Sequence, residues 1–245
     1  MEWFKELYDD FRMRTGFGSI PEDQTKKDVD FLVQELKLTI GSKVLDLFCG
    51  TGRHSIELAK RGISAIGIEY NPDYISMAQE RASQASVSPR FVQGDVRDTQ
   101  FASEYDAAII MWMSFGYFDD PEECLILQRV FKALKPGGRF LMELLNRDFI
   151  IRNFNERDEK VIEGIKVVEK RSFNILTSRV NGTITRHEKD GPVVKRISWR
   201  LYSAHELRNI LERIGFKFIA GYGNLEREPL SLNTRLMRLV WEKRC

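Results

Sequence analysis

Apolar residues recur at helical spacing from the beginning of the chain. In MEWFKELYDDFRMRT, Trp3, Phe4, Leu7, Tyr8 and Phe11 fall on one face, which predicts a helix over residues 1–15. Gly16 to Pro21 breaks it. A second amphipathic helix is expected from Glu22 to about Leu38, with Val29, Leu32, Val33 and Leu36 inward. After a turn at Gly41-Ser42 the period changes. Val44 to Phe48, Ser64 to Glu69, Arg90 to Gln93, Ala107 to Met113 and Arg139 to Leu145 read as five strands. Ser55 to Arg61, Asp73 to Ala85 and Glu122 to Leu134 read as helices between them. The fourth strand is apolar throughout, as a strand covered on both faces should be. Repeated strand–helix units predict an α/β fold, a mainly parallel sheet with helices on both sides.

The rhythm changes again between residues 151 and 201. Lys166 to Phe173, Ser178 to His187 and Val193 to Leu201 look like three strands of an antiparallel meander inserted into the α/β unit. Ser203 with Glu206 then forms a capping box, and Leu207, Ile210, Leu211 and Ile214 give that helix its apolar face. Phe216 to Tyr222 and Leu236 to Glu242 are the final strands. The expected organisation is therefore a helical lid or edge over 1–40, a main domain from 41–148 and 202–245, and an antiparallel insertion over 149–201.

Composition narrows the classes. The 245 residues include 38 Lys or Arg and 36 Asp or Glu, so the net charge is +2 and a dominant nucleic-acid footprint is not expected. Cys49, Cys124 and Cys245 are odd in number and lack a CxxC pair, which argues against a disulfide framework and a structural zinc site. His54, His187 and His205 have no spaced partners, so no metal is expected. The acidic amphipathic start does not read as a signal peptide, and the apolar run from Ala107 to Phe115 is too short to cross a bilayer. The expectation is a cytoplasmic protein without membrane association.

The chemistry concentrates in Asp46-Leu47-Phe48-Cys49-Gly50-Thr51-Gly52-Arg53-His54-Ser55, a buried strand running into a Gly-rich turn and a helix. Gly50 and Gly52 let the backbone approach a ligand. The third glycine of a dinucleotide fingerprint is replaced by Ser55, and Asp46 would repel a pyrophosphate. Both count against a nicotinamide-dependent oxidoreductase. Glu69 ends the second strand, where a carboxylate can accept hydrogen bonds from both ribose hydroxyls. A ligand with a ribose and no required phosphate is implied.

On these residues the chain resembles the class I S-adenosylmethionine-dependent methyltransferases. The Asp46–Gly52 turn is similar to their first motif, and Glu69-Tyr70 to the ribose-binding acid and its neighbour. Phe91-Val92-Gln93-Gly94-Asp95-Val96 resembles the adenine-contacting segment. Tyr105 to Phe118 resembles the fourth strand and substrate loop, and Leu134-Lys135-Pro136-Gly137-Gly138-Arg139-Phe140 the signature before the fifth strand. The insertion and Tyr222-Gly223-Asn224-Leu225 are similar to a bacterial and archaeal branch acting on small molecules. Phe48 departs from the pattern, standing where a first turn glycine is common.

The resemblance implies a Rossmann-like sheet in the order 3-2-1-4-5-7-6 with strand seven antiparallel. It implies S-adenosylmethionine as cofactor and S-adenosylhomocysteine as product. Asp46 and the backbone of Phe48, Cys49, Gly50 and Gly52 would hold the amino-acid part, and Glu69 the ribose. Tyr70 and Val96 would flank the adenine, Asp95 would bind its amino group, and Met111 would lie against the cofactor. Tyr8, Trp112, Phe115 and Tyr117 are candidates for the acceptor pocket, with Phe17 joining Tyr8 in a lid. For these aromatics the alternative is ordinary core packing. For Asp46 and Asp95 it is a turn cap, and for Cys49 a thiol with a pKa lowered by the helix N-terminus.

The expected activity is methyl transfer to a nitrogen or oxygen atom of a small-molecule acceptor by in-line displacement, in a monomer or homodimer. No catalytic residue is assigned. Met111-Trp112-Met113-Ser114-Phe115 replaces the Asn/Asp-Pro-Pro-Tyr/Phe motif common in enzymes that methylate planar amino groups of adenine or glutamine. An RNA or protein methyltransferase of another kind, and a non-catalytic cofactor-binding module, are the alternatives.

Overall fold

Two sheets organise the chain in the computed structural model, which describes residues 2–100 and 102–244; the side chain of Phe17 and all of Cys245 lie outside the described residues. The first sheet is built from β1 (Lys43–Leu47), β2 (Ser64–Glu69), β3 (Arg90–Gln93), β4 (Tyr105–Ile110) and β5 (Leu134–Leu145). Between them run α4 (Arg53–Lys60), α5 (Pro72–Gln84) and α6 (Asp120–Ala133), after α1 (Trp3–Leu7), α2 (Asp10–Thr15) and α3 (Glu22–Glu35). The second sheet holds β6 (Arg157–Ile162), β7 (Ile165–Asn174), β8 (Arg179–Glu188) and β9 (Gly191–Arg200), and follows α7 (Arg147–Arg152). The chain then returns to the first sheet through α8 (Ala204–Ile214), β10 (Phe216–Tyr222) and β11 (Leu236–Lys243).

The first sheet has the order β10-β11-β5-β4-β1-β2-β3. Strands β1 to β5 are parallel, and β11 is antiparallel to both β5 and β10. This is the expected order 3-2-1-4-5-7-6 with its reversed last strand. Alternation along the central strands divides the core in two. Leu45, Leu47, Ala108 and Ile110 face one cluster, with α1, α6 and α8. Val44, Ala107 and Ile109 face the other, with Val29 and Leu32 of α3, Leu36 just after it, and Leu58 of α4. Both faces are thus sealed, which explains why the run from Ala107 to Ile110 in β4 is apolar throughout. The chain crosses from one face to the other between β1 and β4, leaving a crevice at their carboxyl ends.

The N-terminal segment is two helices where one was expected. Asp9 accepts the Arg12 N–H at 2.9 Å and so starts a new helix in the middle of the apolar stripe. The inserted sheet has four strands, not three. β6 pairs with β7 from Arg157↔Lys170 to Ile162↔Ile165, yet its residues are exposed and mostly charged. The second sheet meets the N-terminal segment: the Trp3 and Trp199 rings lie 5.0 Å apart, and Asp9 pairs with Arg186 at 2.9 Å.

Candidate active site

The turn after β1 is shaped by three left-handed residues, Phe48, Gly50 and Gly52. Phe48 has φ 58°, a conformation that costs a non-glycine residue about 1–2 kcal/mol. Its ring packs on Tyr117 and Phe118, at 5.8 and 6.4 Å between centroids, which holds the strained residue in place. Gly52, with φ 75°, precedes α4, and a Cβ there would come within 2.6 Å of the Phe91 ring. Gly52 therefore supports the turn from behind and does not line the cavity in front of it.

Asp46 is buried and accepts the Ser55 hydroxyl at 2.7 Å. Burial pushes its carboxyl up to about 7, against the opposing pull of that hydrogen bond. The serine in the place of the third fingerprint glycine thus serves the aspartate. Glu69 accepts the Gly50 N–H at 3.1 Å and the Asn71 N–H at 2.9 Å, tying the turn to the end of β2. Burial raises its pKa as well. The alternative for Cys49, a thiol with a lowered pKa at the helix N-terminus, is not met: burial pushes that thiol well up, so it stays protonated.

In front of the turn lies a cavity with about 840 Å³ of space, open mouth included. Of the residues expected to hold a cofactor, Asp46, Phe48, Cys49, Gly50, Glu69, Tyr70, Asp95, Val96 and Met111 line it. Asp95 is engaged with Arg97, at 3.0 and 2.7 Å, and Arg97 also pairs with Glu122 at 2.8 Å and with Glu2. Phe4, Arg53, His54 and Tyr74 line the cavity without having been singled out as site residues. Arg53 donates to Asp28 at 2.7 Å, and His54 lies 3.5 Å from the same carboxylate. Burial lowers His54 to about 4, so it is neutral at physiological pH. No local signal marks this cluster, because Asp28 is contributed by α3.

The acceptor candidates divide. Tyr8, Trp112 and Tyr117 line the cavity, whereas Phe115 lies outside it, buried with its ring 5.3 Å from Tyr202. Trp112 and Met113 both have positive φ, 54° and 63°, where the chain leaves β4. The Tyr8 and Tyr117 hydroxyls are 2.6 Å apart. Burial pushes Tyr8 up to about 12 and Tyr117 well above its ordinary value, so both stay protonated. Glu123 supports this loop from below. Its Oε1 accepts the N–H groups of Gly116 and Phe118, at 2.8 and 2.9 Å.

A second, wider cavity lies between α2, α7 and one face of the inserted sheet, with about 1800 Å³ of space including its open side. Tyr8 and Trp112 border both cavities. Among the described residues no group of three or more His, Cys, Asp or Glu is arranged to hold a metal ion, and no helix is long and apolar enough to cross a membrane.

Comparison with known proteins agrees with this geometry. Residues 44–138 match the family model described as "Methyltransferase domain". A putative methyltransferase, YqeM of Bacillus subtilis, is 32% identical over 143 residues, 58% of this chain and 53% of that protein. The chain spans about half the length of the first curated relatives it matches. An S-adenosylmethionine-dependent methyltransferase from Clostridium acetobutylicum superposes with a TM-score of 0.80 at 17% identity, covering 99% of this chain and 98% of that one. The S-adenosylmethionine-bound amino pentose methyltransferase CalS10 from Micromonospora echinaspora gives 0.68 at 18% identity, covering 95% and 94%. Residues 44–138 are thus similar to a methyltransferase domain, and the chain has the Rossmann-like fold of the solved methyltransferases it superposes on.

Proposed function

We propose that the protein transfers a methyl group from S-adenosylmethionine to a nitrogen or oxygen atom of a small-molecule acceptor. The observation that carries this reading is the meeting of two cavities at Tyr8 and Trp112. The donor fits the first. The buried Asp46 carboxylate and the left-handed turn at Phe48 to Gly50 suit an ammonium and its carboxylate. Glu69 receives the ribose hydroxyls, Tyr70 and Val96 flank the adenine, and Asp95 reaches its amino group from beside Arg97. Met111 packs on the bound cofactor. The sulfonium supplies a methyl group whose leaving group is a neutral thioether. The chain has to align the acceptor lone pair and exclude water. The inserted sheet and the N-terminal helices act as the cover.

Nitrogen is the acceptor atom that the local chemistry favours. Tyr8 and Tyr117 keep their protons at neutral pH and are poor general bases. An amine that arrives deprotonated needs no base. The amino pentose substrate class of CalS10 accords with this.

Calorimetric titration with S-adenosylhomocysteine, with NAD⁺ as control, tests the donor site. Micromolar binding of the first and none of the second is expected. A charge-assisted hydrogen bond contributes about 1.5–3 kcal/mol, so Glu69→Ala should weaken binding roughly ten- to a hundredfold. Unchanged affinity in this variant removes Glu69 from the site.

A further inference from the structure

The second cavity has a charge pattern that speaks to its occupant. Six charged residues border it: Arg12, Lys160, Arg171 and Arg235 against Asp158 and Glu169. Glu169 is already committed, to Lys160 at 3.0 Å and to Arg171 at 3.4 Å. Asp158 is exposed. Among the described residues Arg12 and Arg235 have no ion-pair partner, and the Arg12 guanidinium rests 5.9 Å from the Trp112 ring centre. The wall is therefore positive, in a chain whose charge is nearly balanced.

Hydrogen bonding gives an independent indication. Among the described residues, the Nε of Arg12, the Nε of Arg171 and the indole Nε1 of Trp199 are all buried without an acceptor. All three residues border this one cavity. An unpaired buried donor costs about 1–3 kcal/mol, and these three nitrogens lie just beneath the cavity surface, so acceptor atoms of a ligand would reach them after a small shift of the side chains. A planar guanidinium is also the side chain best matched to a carboxylate or phosphate. Phe149, Ile184, Ile197 and Trp199 supply an apolar wall beside these donors.

We propose that the acceptor carries an oxyanion, a carboxylate or a phosphate, bound in the second cavity by Arg12 with Arg171 and Arg235, and an apolar body packed beside it. This deepens the methyltransferase reading and rests on it. Arg12 lies four residues after Tyr8, in the first turn of α2 and against Trp112. An anion held there leaves the rest of a small acceptor extending to the Tyr8–Trp112 boundary, where its amine would meet the donor methyl.

The test uses the full chain saturated with S-adenosylhomocysteine and three probes of one shape: 4-aminobenzoate, 4-aminophenyl phosphate and neutral 4-aminobenzamide. Binding is read by calorimetry and by tryptophan fluorescence, since Trp112 and Trp199 both border the cavity. At least one anionic probe is expected to bind ten times or more tightly than the amide, and the better of the two identifies the oxyanion. Arg12→Gln should abolish that preference, and Arg12→Lys should restore part of it; titration of each variant with S-adenosylhomocysteine shows that it is folded. Equal binding of all three probes, or none by any, in protein that binds S-adenosylhomocysteine overturns the proposal. Failure to bind S-adenosylhomocysteine with the anionic preference intact overturns the methyltransferase reading instead and leaves the anion site standing.

Discussion

One oxygen of Glu123 accepts two backbone N–H bonds, while the other, Oε2, is buried without a partner among the described residues. Such a carboxyl favours its protonated form, and burial pushes its pKa from an ordinary 4.5 up to about 7. The folded state thus holds a proton that the unfolded chain releases near pH 4.5. The associated stability is complete below that pH and is lost as pH rises through 7. Glu123→Gln keeps an acceptor for both N–H groups and removes the buried charge. Thermal melts should show wild type losing several degrees between pH 5 and pH 8 and the variant losing less. The two should coincide near pH 5, with the variant ahead at pH 8; parallel profiles would refute the assignment. At this scale the first turn was legible, because Asp46, Gly50 and Glu69 lie in or beside a single strand–turn–helix signature. The role of Ser55 and the burial of Phe115 were not, because both depend on which neighbour the fold brings up.

The loop from Ser114 to Phe118 shows how one element is fixed between two others. Glu123 of α6 holds its N–H groups, and the Gly116 carbonyl accepts the Arg200 N–H at 2.8 Å, at the end of β9. Gly116 has φ 96°, and a Cβ there would fall 2.2 Å from the Arg200 carbonyl oxygen. Gly116→Ala should therefore cost at least about 2 kcal/mol, by strain and by displacing the inserted sheet from the loop. Chemical denaturation would measure this, and a change under about 0.5 kcal/mol would show that the contact yields freely. The same element-level view explains what periodicity missed. The central strands β1 and β4 announce themselves by burial on both faces. β6 is solvated and charged, so no alternation marks it, and only its pairing with β7 makes it a strand. The break between α1 and α2 was hidden because Tyr8 and Phe11 continue the apolar stripe across the Asp9 cap.

At the scale of the whole molecule, the N-terminal segment and the inserted sheet are latched together over the crevice. Asp9 caps α2 and pairs with Arg186 of β8 at 2.9 Å and with Lys195 of β9 at 3.7 Å. Trp3 packs on Trp199, and Arg14 pairs with Glu163. Asp9→Ala removes a cap worth about 1 kcal/mol and both ion pairs at once. Limited proteolysis should then cut the N-terminal residues several times faster, while the main sheet resists as before. An unchanged cleavage rate would show that aromatic packing alone closes the cover.

The position of β11 carries a consequence for synthesis. It is the last strand in chain order, yet it lies inside the sheet between β5 and β10, pairing Leu236 with Leu145. Ninety-one residues separate those two partners. At roughly 5–20 residues per second on the ribosome, the wait is about 5–20 s. Throughout that interval the apolar edge of β5 is available to any other strand, which is the circumstance in which nascent chains aggregate. A cell making this protein in quantity thus has reason to keep a chaperone near the tunnel exit until residues 236–243 emerge.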